Sequence, residues 1–145
     1  MKLTVLGCDG AYPKKGGATS GYLLQTQQAN ILIDCGCGVL ANLNGIMDIE
    51  ELDAVILTHL HHDHCSDIGA MSYELSLRGK LKNPIELYLP DAPEPNYQVI
   101  CSLGGFQPKV ITDTITVKDI TIDFLEVKHP VKTFLYRDIF IFVIL

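Results

Sequence analysis

The sequence predicts a layered α/β domain, and three observations support this fold class. Short β-branched or aliphatic runs alternate with stretches of helical periodicity. One run is apolar throughout, as expected for a strand covered on both faces: Ala54-Val55-Ile56-Leu57. The 145 residues are enough for a single domain, residues 1–145, with a core of its own.

The predicted strands are runs rich in β-branched and aliphatic residues. In chain order they are Lys2–Gly7, Gly21–Thr26, Asn30–Asp34, Asp53–Thr58, Ile85–Leu89, Val110–Val117, Ile120–Val127 and Thr133–Leu145. A short helix is expected after Gly38. Longer helices are expected over Asp67–Lys80, where apolar residues recur near every 3.6 positions, and over Asn96–Leu103, which Gly104-Gly105 ends.

Composition and charge restrict the classes of protein to which the chain could belong. Hydrophobic residues make up 48% of the chain and charged residues 19%, which is too apolar for a disordered protein. The net charge of −6 lacks the basic excess of nucleic-acid binders, so nucleic acid is not a favoured partner. The longest apolar run, residues 139–145, is far shorter than the roughly 20 residues of a membrane helix. With no secretory segment after Met1-Lys2, a cytoplasmic location is expected.

Four of the five histidines lie in one short segment directly after the apolar strand: Thr58-His59-Leu60-His61-His62-Asp63-His64. Packing does not explain this density, because each buried imidazole needs its own hydrogen-bond partner. A solvated histidine tract is the alternative, and the internal position and interruptions of the segment argue against it. Side chains alternate along a strand, so His59 and His61 point the same way. They could then meet one cation at the roughly 2.0–2.1 Å that zinc favours.

The same segment offers a second pair of ligands. Where the chain turns into the helix predicted near Asp67, Asp63 and His64 bring a carboxylate and an imidazole to a neighbouring position. They could serve a second metal about 3.5–4 Å from the first, the separation typical of two-metal hydrolytic sites. His62 has the opposite parity, and we interpret it as a solvated residue or as a support for the ligands.

These residues resemble the metallo-β-lactamase superfamily, in particular its ribonuclease Z-like branch. The segment His59–His64 matches the HxHxDH motif of the superfamily. Further stretches are similar to the family's other motifs, including the turn that carries its third metal histidine: Gly7–Pro13, Ala18–Tyr22, Ile31–Gly36, Asp63–Gly69 and Val127–Phe134. The resemblance spans Leu3 to about Arg137. It implies an αββα sandwich, of which this chain would form the N-terminal part.

By position, the resemblance implies a role for each candidate residue. The first metal would be held by His59, His61 and His129, and the second by Asp63 and His64. Asp34 would accept hydrogen bonds from the metal loop and so orient its ligands. The implied cofactor is zinc, as one ion or as two in a complete site, with manganese and iron as alternatives. Taken alone, His129 is also compatible with a structural turn residue, and Asp34 with an ordinary strand end.

The implied reaction is hydrolysis by a metal-activated water, with Asp63 orienting that water or acting as its base. The family's complete site also needs a bridging Asp and a further His from its second half. After His129 the sole acidic residue is Asp138, which lies in the wrong setting to bridge, and no histidine follows. We therefore expect a three-histidine first site and a weak or absent second site.

Half of a sandwich should leave the inner face of its sheet bare. The apolar tail Ile139–Leu145 would add an exposed edge strand. From these two features we expect self-association into a homo-oligomer, in which a second copy covers the bare face. A truncated reading frame would explain the same ending.

The leading hypothesis is a zinc-dependent hydrolase of the ribonuclease Z-like branch that acts on a phosphodiester. The substrate itself stays open between a small phosphodiester, a cyclic nucleotide, an ester and a thioester. The alternative is a metal-binding but catalytically inactive half-domain that functions through self-association. A third hypothesis is a thiolate metal site built from cysteines, at positions Cys35, Cys37, Cys65 and Cys101. It is less well supported, because small buried thiols commonly serve packing.

Overall fold

A computed structural model describes residues 1–141, without the side chains at positions 80, 138, 140 and 141. Its strands are β1 Lys2–Gly7, β2 Gly21–Gln25, β3 Asn30–Ile33, β4 Ala54–Ile56, β5 Ile85–Leu89, β6 Phe106–Val110, β7 Thr114–Val117, β8 Ile120–Val127 and β9 Thr133–Ile141. Its α-helices are α1 Val39–Asn44, α2 His62–Cys65, α3 Ile68–Leu77 and α4 Glu94–Cys101. Two 3₁₀ segments lie at Ile49–Glu51 and Lys80–Lys82.

The larger sheet has six strands in the order β1-β2-β3-β4-β5-β6. Strands β1 to β3 are antiparallel, whereas β3 to β6 run parallel, with Ile33 opposite Ile56 and Ile56 opposite Tyr88. Because parallel strands end on the same side of a sheet, the residues that follow β3, β4 and β5 lie together. We call this side of the sheet the carboxyl edge.

Helices cover one face of this sheet. Their buried side chains form one core with the strands, and representative members are Val39, Leu43, Met71, Leu75 and Ile100 from the helices with Leu32, Val55 and Leu87 from the sheet. Alternation along each strand places the neighbouring side chains on the opposite face. Within residues 1–141, no helix is long and apolar enough to cross a bilayer.

The second sheet, β7-β8-β9, is antiparallel and covers the other face. Ile122 and Phe124 of β8 share a buried core with Ile31, Ile33 and Ile56 of the larger sheet. The expectation of a bare inner face is therefore wrong for these strands. The described layers are helices, sheet and sheet, which is the metallo-β-lactamase architecture without a second helical layer in the described part of the chain.

One end of the second sheet is tied to the first by polar contacts. Lys118, in the turn between β7 and β8, forms an ion pair with Asp53 at 2.7 Å. Its neighbour Asp119 accepts a hydrogen bond of 2.8 Å from the Thr26 hydroxyl. The opposite end of β8 leads to the turn between β8 and β9, residues 128–132. We call this segment the His129 turn.

Several predicted elements need correction. The strand predicted over Val110–Val117 is wrong, because Val110 ends β6 in the first sheet whereas β7 begins at Thr114 in the second. Strand β6 itself was not predicted. The last strand begins at Thr133, as predicted, and is described to Ile141, whereas residues 142–145 of the predicted edge strand lie outside the described range.

The core between the two sheets predicts that two substitutions on β8 lower the free energy of unfolding by different amounts. Ile122 is 1% exposed, whereas Leu125 is 53% exposed. Ile122→Ala should lower the free energy of unfolding by about 2–5 kcal/mol, because it leaves a cavity in the core. Leu125→Ala should change it by less than about 0.5 kcal/mol. Urea denaturation of both variants measures this difference, and equal costs would contradict the burial of β8.

Candidate metal centre

The histidine loop, residues 58–64, lies at the carboxyl edge. Strand β4 ends at Ile56, so His59 and His61 lie in an extended loop and not on the strand end expected from the sequence. Successive side chains of this loop still point to opposite sides, because Leu60, between His59 and His61, is fully buried in the helix-side core. The chain then enters α2 at His62. This path sends His59 and His61 to the same side.

Three imidazoles meet above the carboxyl edge. His59, His61 and His129 each offer one ring nitrogen, and these atoms all lie within 4.8 Å of one another. The ring centroid of His59 lies 4.9 Å from that of His61 and 4.9 Å from that of His129. His129 reaches the cluster from the His129 turn of the second sheet. The cluster is therefore built by both sheets.

The separation of one pair of nitrogens matches that expected at a tetrahedral metal. Two nitrogens bound tetrahedrally at about 2.0–2.1 Å lie about 3.3 Å apart. Nε2 of His129 and Nδ1 of His61 are 3.3 Å apart. Three imidazoles without a carboxylate between them also match the donor set of mononuclear zinc sites, which leave one position open.

A hydrogen-bond chain fixes the tautomer of His59. The Thr58 hydroxyl donates to the Asp34 carboxylate at 2.9 Å. Its oxygen lies 3.1 Å from Nδ1 of His59 and so accepts the proton on that nitrogen. Nε2 of His59 is then left with a free lone pair, which is the form that binds a cation.

His64 is held in the same way. Its Nδ1 donates to Oδ2 of Asp34 at 2.6 Å. Its Nε2 lies 3.6 Å from Oδ2 of Asp63, and its ring centroid lies 3.9 Å from that of His59. The structure thus brings Asp63 and His64 together beside the three-histidine cluster, as a second pair of donors.

The pKa values of His59 and His64 are shifted in opposite directions by burial and by neighbouring charges. Burial, together with neighbouring His64, lowers the pKa of His59 from 6.5 to about 4, which keeps this imidazole neutral at pH 7. Burial also lowers the pKa of His64, but the hydrogen bond to Asp34 and the charges of Asp34 and Asp63 outweigh it and raise that pKa overall.

Asp34 is the anchor of the loop. It is 3% exposed and follows β3 with a φ of +57°, a conformation that Asp tolerates better than most residues. Besides His64 and the Thr58 hydroxyl, its carboxylate accepts the Thr58 amide at 2.9 Å and the Ser20 hydroxyl at 3.1 Å. The supporting roles of Thr58 and Ser20 were not predicted, although Thr58 directly precedes the HxHxDH segment and Ser20 lies within the recognised stretch Ala18–Tyr22.

A close backbone approach completes the support. The amide of Cys35 donates to the carbonyl oxygen of His64, and that of Ser20 donates to the carbonyl oxygen of Asp63. A Cβ on Gly36 would overlap both the Asp63 carbonyl oxygen and Oγ1 of Thr19. Glycine at this position lets the loop after β3 lie directly against the histidine loop.

The remaining candidates lie outside the cluster. His62 is exposed and lines a separate groove of about 340 Å³ between α2, α3 and α4. All five cysteines are free. Burial raises the pKa of the Cys65 thiol to about 11 and that of the Cys35 thiol well above its ordinary value. Within residues 1–141, no cysteine joins the histidine cluster, so the thiolate hypothesis has no geometric support there.

This fold and this histidine loop define a metallo-β-lactamase-fold protein. The crystal structure of the metallo-β-lactamase-fold protein YhfI from Bacillus subtilis matches with a TM-score of 0.87 and 36% identity, over 94% of this chain and 56% of that chain. Human tRNase Z, short form, matches with a TM-score of 0.74 over 92% of this chain and 62% of that chain. At 20% identity, the second likeness shows the fold alone.

Sequence comparison places the chain in a family. A family model described as Anti-Pycsar protein Apyc1 matches residues 1–96, and the chain belongs to that family. It lies in the ribonuclease Z-like branch of the superfamily, as predicted. The probable metallo-hydrolase YhfI of Bacillus subtilis (strain 168) is 39% identical over 94% of this chain and 58% of its own length. Ribonuclease Z of Nocardia farcinica is 26% identical over 94% of this chain and 48% of its own length. The chain thus spans about half the length of these curated relatives.

The contact at Gly36 predicts a strong effect of a small substitution. Gly36→Ala should lower the free energy of unfolding by at least about 2 kcal/mol, because the added methyl group displaces the Asp63 backbone. It should weaken metal binding as well. Urea denaturation and zinc titration measure both effects. Gly10→Ala is the matched control, because a Cβ there meets no atom within 4 Å; a Gly36→Ala protein that resembles this control would contradict the close approach.

Proposed function

We propose that this chain is a zinc-dependent hydrolase that cleaves phosphodiesters with a metal-activated water. One observation carries the proposal: three imidazole nitrogens from two different sheets lie within 4.8 Å of one another. The metallo-hydrolase and ribonuclease Z relatives support the reaction class. Residues His59, His61 and His129 would hold the first ion, with Asp63 and His64 as the second pair of donors.

A bound divalent cation would lower the pKa of a water molecule and would stabilise the negative charge that develops on the reacting oxygen. The chain's own residues would do the rest. Thr58 holds Nδ1 of His59 and Asp34 holds Nδ1 of His64, so Nε2 of each ring is the nitrogen left for a cation. Asp63 is partly exposed beside this cluster, so its carboxylate is available to orient the attacking water and accept its proton.

The proposed substrate is a small phosphodiester. The word ribonuclease in the names of the relatives denotes cleavage of a phosphodiester, which supports this choice over an ester or thioester. The net charge of −6 does not favour a long nucleic acid, because phosphate backbones bind basic surfaces. A small diester needs fewer cationic contacts, and the metal centre itself would supply positive charge.

We also propose that the protein self-associates. Leu3 and Val5 of the edge strand β1 are 58% and 57% exposed, on the face that Leu24 shares with the inter-sheet core. This part of the inner face is the remnant of the bare surface expected from the sequence. An exposed apolar edge strand favours pairing with another chain.

The hydrolase proposal predicts about one zinc per chain and turnover of a chromogenic phosphodiester such as bis(p-nitrophenyl) phosphate. His59→Ala should abolish the bound zinc and lower turnover by at least about a hundredfold. His62→Ala is the matched control from the same loop, because it lies outside the cluster, and it should retain the metal. Plasma mass spectrometry and initial rates with added zinc measure these effects.

The outcomes separate the hypotheses. Zinc that is lost in His59→Ala, without any turnover in the unsubstituted protein, would support the inactive metal-binding half-domain. If the unsubstituted protein binds no zinc, both the hydrolase and the metal-binding half-domain are wrong. About two zinc ions per chain would indicate that the Asp63 and His64 pair also binds metal, with further ligands from another copy.

Self-association predicts a dimer or larger species at micromolar concentration. Val5→Glu should shift the population toward the monomer, because a carboxylate on the exposed face of β1 disfavours apolar pairing. Multi-angle light scattering measures both masses. The exposed helix residue Leu77, at 87% exposure, gives the control Leu77→Glu. A monomeric unsubstituted protein, or equal effects of the two variants, would contradict the role of β1.

A further inference from the structure

The third histidine reaches the cluster from a different part of the fold. His59, His61 and His64 belong to one continuous loop after β4, which the buried Asp34 holds. His129 lies in the His129 turn of the second sheet and is exposed. Within the described residues, the side-chain hydrogen bonds of Asp34 go to Ser20, Thr58 and His64, and none of these residues lies in that turn. The position of His129 therefore depends on whatever holds the turn against the first sheet.

In the described part of the chain, a backbone hydrogen bond and an ion pair hold the His129 turn against the carboxyl edge of the first sheet. The amide of Phe134, at the start of β9, donates to the Thr58 carbonyl oxygen at 3.0 Å. Nζ of Lys132 donates to Oδ1 of Asp91 at 2.8 Å and lies 5.6 Å from the centroid of the Phe134 ring. Asp91 follows β5, so this ion pair joins the His129 turn to the same edge that carries the histidine loop.

We propose that Lys132 and Asp91 form a clamp that positions His129 for the metal. Lys132 lies three residues after His129 in a turn of five residues, so anchoring one restricts the other. The inference rests on the proposed function, in which His129 is a ligand. Both residues are positioning residues, since neither belongs to the histidine cluster.

The exposure of the pair distinguishes positioning from general stabilisation. The Lys132 and Asp91 side chains are 30% and 50% exposed. Ion pairs this exposed contribute little to global stability. Loss of the clamp should therefore leave the metal-free fold intact and act on the metal affinity, because a ligand that is free to move must be ordered again when the ion binds.

The test compares metal affinity across a charge-exchange series. We expect Asp91→Asn and Lys132→Met each to weaken binding of Zn²⁺ and Co²⁺ by about tenfold, the lower end of the range for residues that support metal ligands. Lys132→Arg keeps the charge and should retain most of the affinity. The double variant Asp91→Lys with Lys132→Asp should recover affinity relative to either single variant. Competition with a chromogenic chelator gives the affinity, and the visible spectrum of the Co²⁺ protein reports its coordination.

Lys118→Met provides the matched control. Lys118 and Asp53, with side chains 51% and 19% exposed, also form an ion pair between the two sheets, at 2.7 Å, but at the opposite end of β8. An eight-residue strand separates that end from the His129 turn by about 26 Å. We expect Lys118→Met to retain the full affinity, and urea denaturation of the metal-free proteins to give similar midpoints for all variants.

The results distinguish failure of the clamp from failure of the proposed function. If the unsubstituted protein binds neither ion, the metal site itself is wrong. If it binds metal and the Asp91 and Lys132 variants bind equally well, the clamp is wrong while the metal site stands. Equal weakening by Lys118→Met would also overturn the clamp, because any loosening of the two sheets would then have the same effect.

Discussion

The geometry of the histidine loop depends on the buried carboxylate of Asp34. A buried charge is costly unless it is hydrogen-bonded, and this one accepts bonds from Ser20, from both the amide and hydroxyl of Thr58, and from His64. These donors come from the start of β2, the end of β4 and α2. The hydrogen bonds that compensate this charge also hold the loop that carries His59, His61 and His64. Through Thr58 and His64 they favour the tautomers in which Nε2 of His59 and of His64 is unprotonated.

The two sheets divide the work of building the centre. The parallel part of the larger sheet places Asp34, the histidine loop and Asp91 at one edge, because β3, β4 and β5 all end there. The second sheet contributes His129 through a turn. Burial keeps His59 neutral, whereas the carboxylates of Asp34 and Asp63 favour a positive charge near His64. This combination of neutral imidazoles and nearby carboxylates suits a divalent cation.

The sequence was most informative where local chemistry decides structure. Strands β1, β5 and β8 have the predicted bounds because β-branched, aliphatic and aromatic residues predominate in each. The HxHxDH segment identified the histidine loop. Strand β6 was missed because it contains Pro108 and follows two glycines, features that an edge strand tolerates.

Long-range contacts were beyond sequence reasoning. The covering of the inner face by β7 to β9 depends on packing between sheets, although Ile120 and Ile122 already showed the alternation of a half-buried strand. Asp91 and Lys132 are 41 residues apart and each resembles an ordinary surface charge. Their pairing follows only from the topology that brings the end of β5 next to the turn after β8.

The division of the ligands between two sheets has a consequence for folding. His61 and His129 are 68 residues apart in sequence, so the three-histidine set exists only after the second sheet has docked. An ion that requires all three ligands would bind the native state and not the unfolded chain, and it would stabilise the docked arrangement by mass action. Such an ion would act as a reversible cross-link between the two sheets and would close a loop of 68 residues.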